Sequence, residues 1–540
     1  MHFDPNTGEK IMDPGDEVQA TAENTANQAQ EAAAQVQADA AQANNAAAQQ
    51  AAQNAAMFQQ APQFQQVPPD TNNVKKGMPV GAVIGIVAGV LAVIAIIAVV
   101  VFASKGLGAK VSLLNTITNA YNGEYLTDAT KDLGFKPFGD LTVKVEMEMD
   151  DVEVLMSFAS EHASHTRSVY SEVTYDGFTL DATAYIDEKQ ILASCPILGD
   201  YLFKYDYSTD KNNGYIADIL DEEDLEVSDL NAMIAFLNDN SGSIEKFYNQ
   251  SVTYFTECVA DLDFKKTGNK ETFTVNGDKV ECKEYRAVLS EELVAEWISG
   301  YRKVVDDFVK SNSDLVETFE DLTGEDLDIE DAFDEILDEV DGDEEAYLSI
   351  FTKGKTTAAI RITNSDEDEY YEIQFKGGDY LAQNVEIVFN DDGDEETIFT
   401  IEGKTKGDEQ TTTMESEDGS FVFEYSFNKK TGAFEMSMEQ YGTEVYACEA
   451  TITFDKNSYT MDFESLSSYG HELDFDKYII TYSTKAEIVK PKGDEFDLGN
   501  ADEDDFEDLA EEIVEEIMDN DELMELMEEL DLDSMYYYMF

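Results

Sequence analysis

Hydrophobic and polar positions alternate strictly from Leu141 to Met149, where Leu141, Val143, Val145, Met147 and Met149 interleave with Thr142, Lys144, Glu146 and Glu148. A period of two predicts a half-buried strand. Similar runs follow at Val152–Phe158, Ser168–Tyr175, Phe178–Ile186 and Tyr201–Tyr207, separated by Asp, Gly and Asn turns as in an antiparallel meander with one wet and one packed face. The period then becomes helical. Ile244, Phe247, Val252, Phe255, Val259 and Leu262 share one face, as do Leu293, Trp297, Tyr301, Val304 and Phe308. Between these helices Asn276-Gly277 predicts a hairpin, because both residues tolerate positive φ. Residues 315–340 predict one or two short acidic helices, and Val111–Asn122 predicts a short helix leading into the first strand. Strand periodicity returns from Ser349 to about Val489, clearest at Gly432–Met438 and Tyr459–Leu466, so the second sheet is longer than the first. Strands, then helices, then strands define an α+β chain with antiparallel sheets and a helical insertion.

The N-terminal hundred residues differ. From Gln19 to Gln66, 33 of 48 residues are Ala or Gln, a composition that buries too little apolar area to order itself. Residues 1–77 are therefore a disordered tail. Pro79–Ala103 then runs 25 residues without a charge, about 37 Å as a helix and longer than the roughly 30 Å hydrocarbon core of a bilayer. Residues 78–105 are a transmembrane helix that stays as an anchor, since the apolar run is too long and too far from the start for a cleaved signal. Gly81, Gly85 and Gly89 also place small residues at four-residue spacing for helix contact, although glycine is common in such spans.

Charge fixes the rest of the organisation. The chain has 540 residues and a formal charge of −81. Lys75 and Lys76 before the span balance Lys105 and Lys110 after it, so the flanks do not orient it. Residues 107–540 hold 107 acids and 31 bases and are repelled by an anionic inner leaflet, which places the N-terminus in the cytoplasm and the C-terminal region outside the cell. The same charge excludes nucleic acid as a partner. Residues 106–345 form the first part of the ectodomain, 346–492 a mainly β second part that can be continuous with it, and 493–540 an acidic tail of 21 acids without Lys or Arg. Self-repulsion should keep much of that tail off the body, while Phe506, Leu509, Ile513 and Ile517 give it a helical apolar stripe that wants a groove, on the ectodomain itself or on a basic protein or cell-wall polymer.

The succession of a leading helix, alternating strands from Leu141 to Tyr207, helices to Phe308 and strands to Val489 resembles lipoprotein carriers of the LolA and LppX type and single-span envelope proteins thought to share that architecture. The resemblance rests on element order over residues 110–490 and on no diagnostic motif. It implies a curved antiparallel sheet with a concave apolar face, covered by helices, that in carriers holds acyl chains. No site residue is carried over.

Candidate chemistry is sparse. His162 and His165 are the only close histidine pair; on a strand their side chains would point to opposite faces, and only a turn or helix would bring them to one metal. Asp341–Tyr347 and Asn390–Glu396 are acid-rich, yet neither has the spacing of an EF-hand loop, so weak calcium binding is the only cofactor expectation and solvated turns the default. Cys258 and Cys282 are placed where a disulfide is feasible, with buried thiols as the alternative. No nucleophile elbow, phosphate loop or dinucleotide turn occurs, and no catalytic or metal residue can be named. The sequence therefore favours a non-catalytic, membrane-anchored extracellular binding or carrier module with an apolar groove for a lipid or peptide. The rival is a structural or adhesive surface protein organising cations or cell-wall contacts, with an envelope hydrolase as a third class.

Overall fold

The computed structural model describes residues 120–520, apart from 176, 223–224, 240, 314–315, 317–328, 330–331, 335–336, 338–344, 366 and 368, together with residues 2–3 and 10–11. Residues 1–76 with 518–540 form one unit and residues 77–517 the other. In the first, His2–Phe3 pairs antiparallel with Lys10–Ile11. The anchor at 78–105, the Ala/Gln tail and most of the acidic stretch 315–340 lie outside the described residues. No helix among the described residues is long and apolar enough to cross a membrane.

Alternation becomes ladder throughout the second unit. Helix α1 (Tyr125–Lys131) precedes β1 (Leu141–Met149), β2 (Val152–Glu161), β3 (Thr166–Tyr175), β4 (Phe178–Ile186), β5 (Gln190–Ser194) and β6 (Tyr201–Asp206). Helices α2 (Tyr215–Glu222), α3 (Val227–Leu237) and α4 (Ser243–Asp261) lead to the hairpin of β7 (Lys265–Val275) and β8 (Asp278–Leu289), then α5 (Glu291–Ser311). There follow β9 (Ala346–Lys353), β10 (Thr356–Thr363), β11 (Glu369–Phe375), β12 (Asn384–Asp391), β13 (Asp394–Lys406), β14 (Glu409–Ser416) and β15 (Phe421–Asn428). The described residues end with β16 (Ala433–Gln440), β17 (Thr443–Phe454), β18 (Ser458–Ser468), β19 (His471–Glu472), β20 (Lys477–Ser483), β21 (Asp494–Asp497) and α6 (Glu503–Asp519).

These strands make one sheet. Each strand from β7 to β18 pairs antiparallel with the next, β18 pairs with β20, β20 with β1, and β1 to β6 continue in order. The β20–β1 ladder sets Lys477 opposite Glu148 and Ser483 opposite Thr142, so the early and late strands share a single sheet. Lys477 holds Glu146 at 2.6 Å across that seam, and Lys144 holds it at 2.6 Å from within β1. The strand order follows a barrel-like circuit, but no registered pair joins β7 to β6 or β21 among the described residues, leaving a large curved sheet with two edges.

One face of this sheet is mostly apolar, with buried Gln410 and Thr412 among the polar positions on it. At the β8–β11 end, Ala287, Leu348, Ile362 and Tyr371 form a cross-strand row covered by Leu293, Val294 and Trp297 of α5, while Val259 and Phe255 of α4 pack on Ile350 and Ile360. In the middle, Phe427, Phe434, Cys448, Phe463 and Leu466 lie under Tyr125, Leu126 and Ala129 of α1. Between these two, Ala120 packs on Phe375, Ala382 and Val385, and its carbonyl accepts from Ala382 N at 2.8 Å.

The opposite face is polar, and at the β7 end it curls closed. Strand β7 approaches β10 closely enough for Arg361 to reach Glu271 at 2.7 Å. Inside the curl, Phe273, Val275, Cys282, Phe351 and Ala359 surround two arginine bridges. Arg361 binds buried Glu372 at 2.6 Å and packs on the rings of Phe351 and Tyr370. Arg286 binds buried Glu284 at 2.7 Å and Glu367 at 2.6 Å. Ser349, Thr267 and Asn269 also donate to Glu284. Burial works to raise the Glu284 carboxyl, but these donors and Arg286 outweigh it and hold the group below its ordinary value. At Glu372 burial prevails and raises the carboxyl against the pull of Arg361. The tip of the β7–β8 hairpin has positive φ at both Asn276 and Gly277, as its sequence requires, and Asn276 N donates to Lys376 O at 2.8 Å.

Several expectations need correction. The helix expected over Val111–Asn122 lies outside the described residues except for its last three positions, which belong to a turn at 120–123, and α1, capped by Glu124, begins at Tyr125. Strand β5 and helices α2 and α3 were not foreseen. The acidic tail is not held off the body over its first part. Strand β21 adds in parallel to the edge of β6, and Phe506 of α6 packs on Tyr215 and Phe496. Reciprocal bonds between Asp502 and Asp505 cap α6, whose acidic first turn suits a helix N-terminus.

Arg361→Met leaves Glu372 buried without its cation and should cost about 3–5 kcal/mol in chemical denaturation, whereas Arg361→Met with Glu372→Leu recovers most of that loss. Glu284→Gln should lower the thermal midpoint at neutral pH. A carboxylate depressed by folding contributes stability above its unfolded value that disappears as pH falls through the folded one, so the gap between Glu284→Gln and the natural chain should close in acid.

Candidate binding face

Over β1 to β4 the apolar face continues without a cover among the described residues. Register places four rows across these strands: Val143, Phe158, Val169 and Ala184; Val145, Met156, Ser171 and Ala182; Met147, Val154, Val173 and Leu180; Met149, Val152, Tyr175 and Phe178. Ser171 is the only non-aromatic polar residue among them. Successive rows lie two residues apart, the spacing that sends every side chain to one side of the pleat. Tyr482, Ile480 and Tyr478 of β20 extend the first three rows toward the covered core around Phe463. Yet Met149, Met156, Phe158, Val169 and Val173 are 36–48% exposed. Contiguous apolar exposure of this kind makes these strands the candidate surface for a partner or a ligand.

The polar side of the same strands is the side that is covered. Residues 485–490 cross it as a strap: Thr142 Oγ1 donates to Lys485 O at 2.7 Å, Glu487 N donates back to Thr142 Oγ1 at 2.9 Å, and Val489 N donates to Ser168 Oγ at 3.0 Å. Lys490 lies over the Tyr185 ring, and Ala159 and Ser168 beneath the strap are buried. Tyr170 donates to Glu172 on this side, and that hydrogen bond pushes its phenol up to about 12. Among the described residues the arrangement is the inverse of ordinary burial: backbone covers the polar face while the apolar face stays exposed.

A concavity of about 750 Å³ lies over β14 to β18. It is polar. Ser426, Glu435, Glu449 and Ser465 form one cross-strand row there, with Glu435 directly opposite Glu449. It does not coincide with the apolar face.

The residues singled out from sequence fall elsewhere. His162 and His165 do sit in a turn, with rings 5.9 Å apart, and His162 Nε2 lies 2.9 Å from Glu245 Oε2. Among the described residues, no group of three or more His, Cys, Asp or Glu side chains is arranged to hold a metal ion. Asn390–Glu396 is the tight β12–β13 hairpin turn, in which Gly393 N donates to Asn390 Oδ1 at 3.2 Å; residues 341–344 lie outside the described residues. Cys258 and Cys282 are not bonded, and all four cysteines are free thiols. Cys258 is on α4, which packs on the apolar face, and Cys282 points into the curl on the other side, so the sheet separates them. Burial raises both thiols. The open rows of β1 to β4 were present in the sequence as alternation, but alternation does not say which packed face lacks a cover.

No protein-family model matches this chain, and no curated protein sequence matches it.

Met156→Ser and Phe158→Ser should shift the unfolding midpoint by less than about 1 kcal/mol equivalent, as for exposed sites. Phe427→Ala, at the covered part of the same face, should cost about 3–5 kcal/mol. Equal losses at both places would show the β1–β4 face to be covered.

Proposed function

We propose that this chain is a membrane-anchored extracellular binding or carrier module, non-catalytic, whose open apolar face on β1 to β4 takes the acyl chains of a lipid. The observation that carries the reading is the set of four cross-strand apolar rows with Met156 and Val169 nearly half exposed beside a covered core on the same face. Each fully covered side chain of this kind is worth about 1.5–3 kcal/mol, so an occupant meeting several of them binds without any polar contact. The uncharged run Pro79–Ala103 supplies the anchor in this reading, and the anionic ectodomain lies outside.

A second reading, an adhesive surface protein that organises cations, draws on the concavity lined by Glu424, Glu435 and Glu449. Photo-crosslinking separates the two. A photoreactive residue in place of Met156 in the full chain, in membranes, should yield lipid adducts on illumination, and the same residue in place of Glu172 on the strapped face should yield none. Adducts only to the chain itself, or equal lipid adducts at both positions, would contradict the lipid reading.

A further inference from the structure

We propose that the lipid held on the β1–β4 face carries a cationic headgroup, seated at the β1–β2 hairpin end of the strip; this rests on the lipid reading above. The four rows span seven residues of β1, about 20 Å, which accommodates one extended acyl chain of roughly 16 carbons running along the strands. A chain so placed puts its headgroup at one of the two ends of the strip, and those ends differ in charge.

At the hairpin end, Met149 and Val152 flank the exposed turn residues Asp150 and Asp151. The segment leading into β20 is fastened beside them, with Asp476 N donating to Glu148 O at 2.8 Å, which brings exposed Asp474 and Asp476 to the same rim. Glu148 and Glu153 face each other across β1 and β2. The neighbouring cations are already engaged: Lys144 and Lys477 both bind Glu146 at 2.6 Å. The far end is mixed, with Asp140 and Glu161 beside Arg167, whose Nη1 donates to Leu237 O at 2.8 Å, and His162 paired with Glu245.

An anionic headgroup at the hairpin rim is repelled by the exposed Asp150, Asp151, Asp474 and Asp476, with Lys144 and Lys477 held on Glu146, while a cationic one is attracted to them. Apolar contact sets the affinity and the rim sets which lipid is chosen.

The test uses the full chain with the photoreactive residue at Met156, in phosphatidylcholine vesicles containing equal small fractions of a trimethylammonium-headed lipid and phosphatidylglycerol with identical acyl chains. Mass spectrometry of the adducts should show the cationic lipid captured at least tenfold over the anionic one. Asp150→Asn, Asp151→Asn, Asp474→Asn and Asp476→Asn together should reduce that ratio below threefold without lowering total lipid capture. Equal capture of the two lipids, or a ratio unchanged by the four substitutions, overturns headgroup selection and leaves the lipid reading standing. No lipid adduct of any kind overturns the lipid reading, and the headgroup proposal with it.

Discussion

A single sheet that is mostly apolar on one side must find cover for that side, and the placement of its packed helices follows from this requirement. Helices α4 and α5 serve the β8–β11 end, and α1 with the turn at Ala120 serves the centre. These covers are supplied by the helical insertion and by the segment just ahead of β1. Neither reaches the rows of β1 to β4, where the strap of residues 485–490 takes the other face. The described sheet therefore spends its covering elements unevenly, and the uneven place is the one whose apolar surface is exposed among the described residues.

The polar side meets a different constraint, set by the acidity of the chain. Where the sheet curls, carboxylates cannot reach water, and two arginines among few bases are placed to hold two glutamates each. Such buried pairs add little net stability compared with apolar packing but are costly to break. They also fix register, because Arg286, Ser349, Arg361 and Glu372 stand in one cross-strand row and a slip of one residue would turn each to the helix-covered face. Where the sheet is open to solvent, as over β14 to β18, acidic side chains face each other without such partners.

Much of this was legible in the sequence and some was not. The bounds of β1 and β4 coincide with their alternating runs, the Asn276-Gly277 hairpin stands where its turn chemistry required it, and α4 and α5 follow their apolar periods to within a few residues. Local signals define such elements. The pairing of β20 with β1 was not legible, because strands from Lys477 and from Leu141 carry the same alternation and nothing local says which neighbours which. Short elements such as β5 and α2 carry too few periods to stand out. The docking of Phe506 on Tyr215 and Phe496 went unread because charge repulsion dominates the tail's composition, whereas a few aromatic contacts and the β21–β6 backbone bonds decide its position. The open face itself is a tertiary fact: it depends on where helices do not go.

The most direct measurement is diazirine footprinting of the full chain, with and without added lipid vesicles, read at Phe158, Val169 and Phe427. The account predicts strong labelling of Phe158 and Val169 without lipid, protection of both when lipid is present, and little labelling of Phe427 in either state. Labelling of Phe158 and Val169 as low as that of Phe427 without lipid, or unaffected by it, would contradict an open apolar face that receives a ligand.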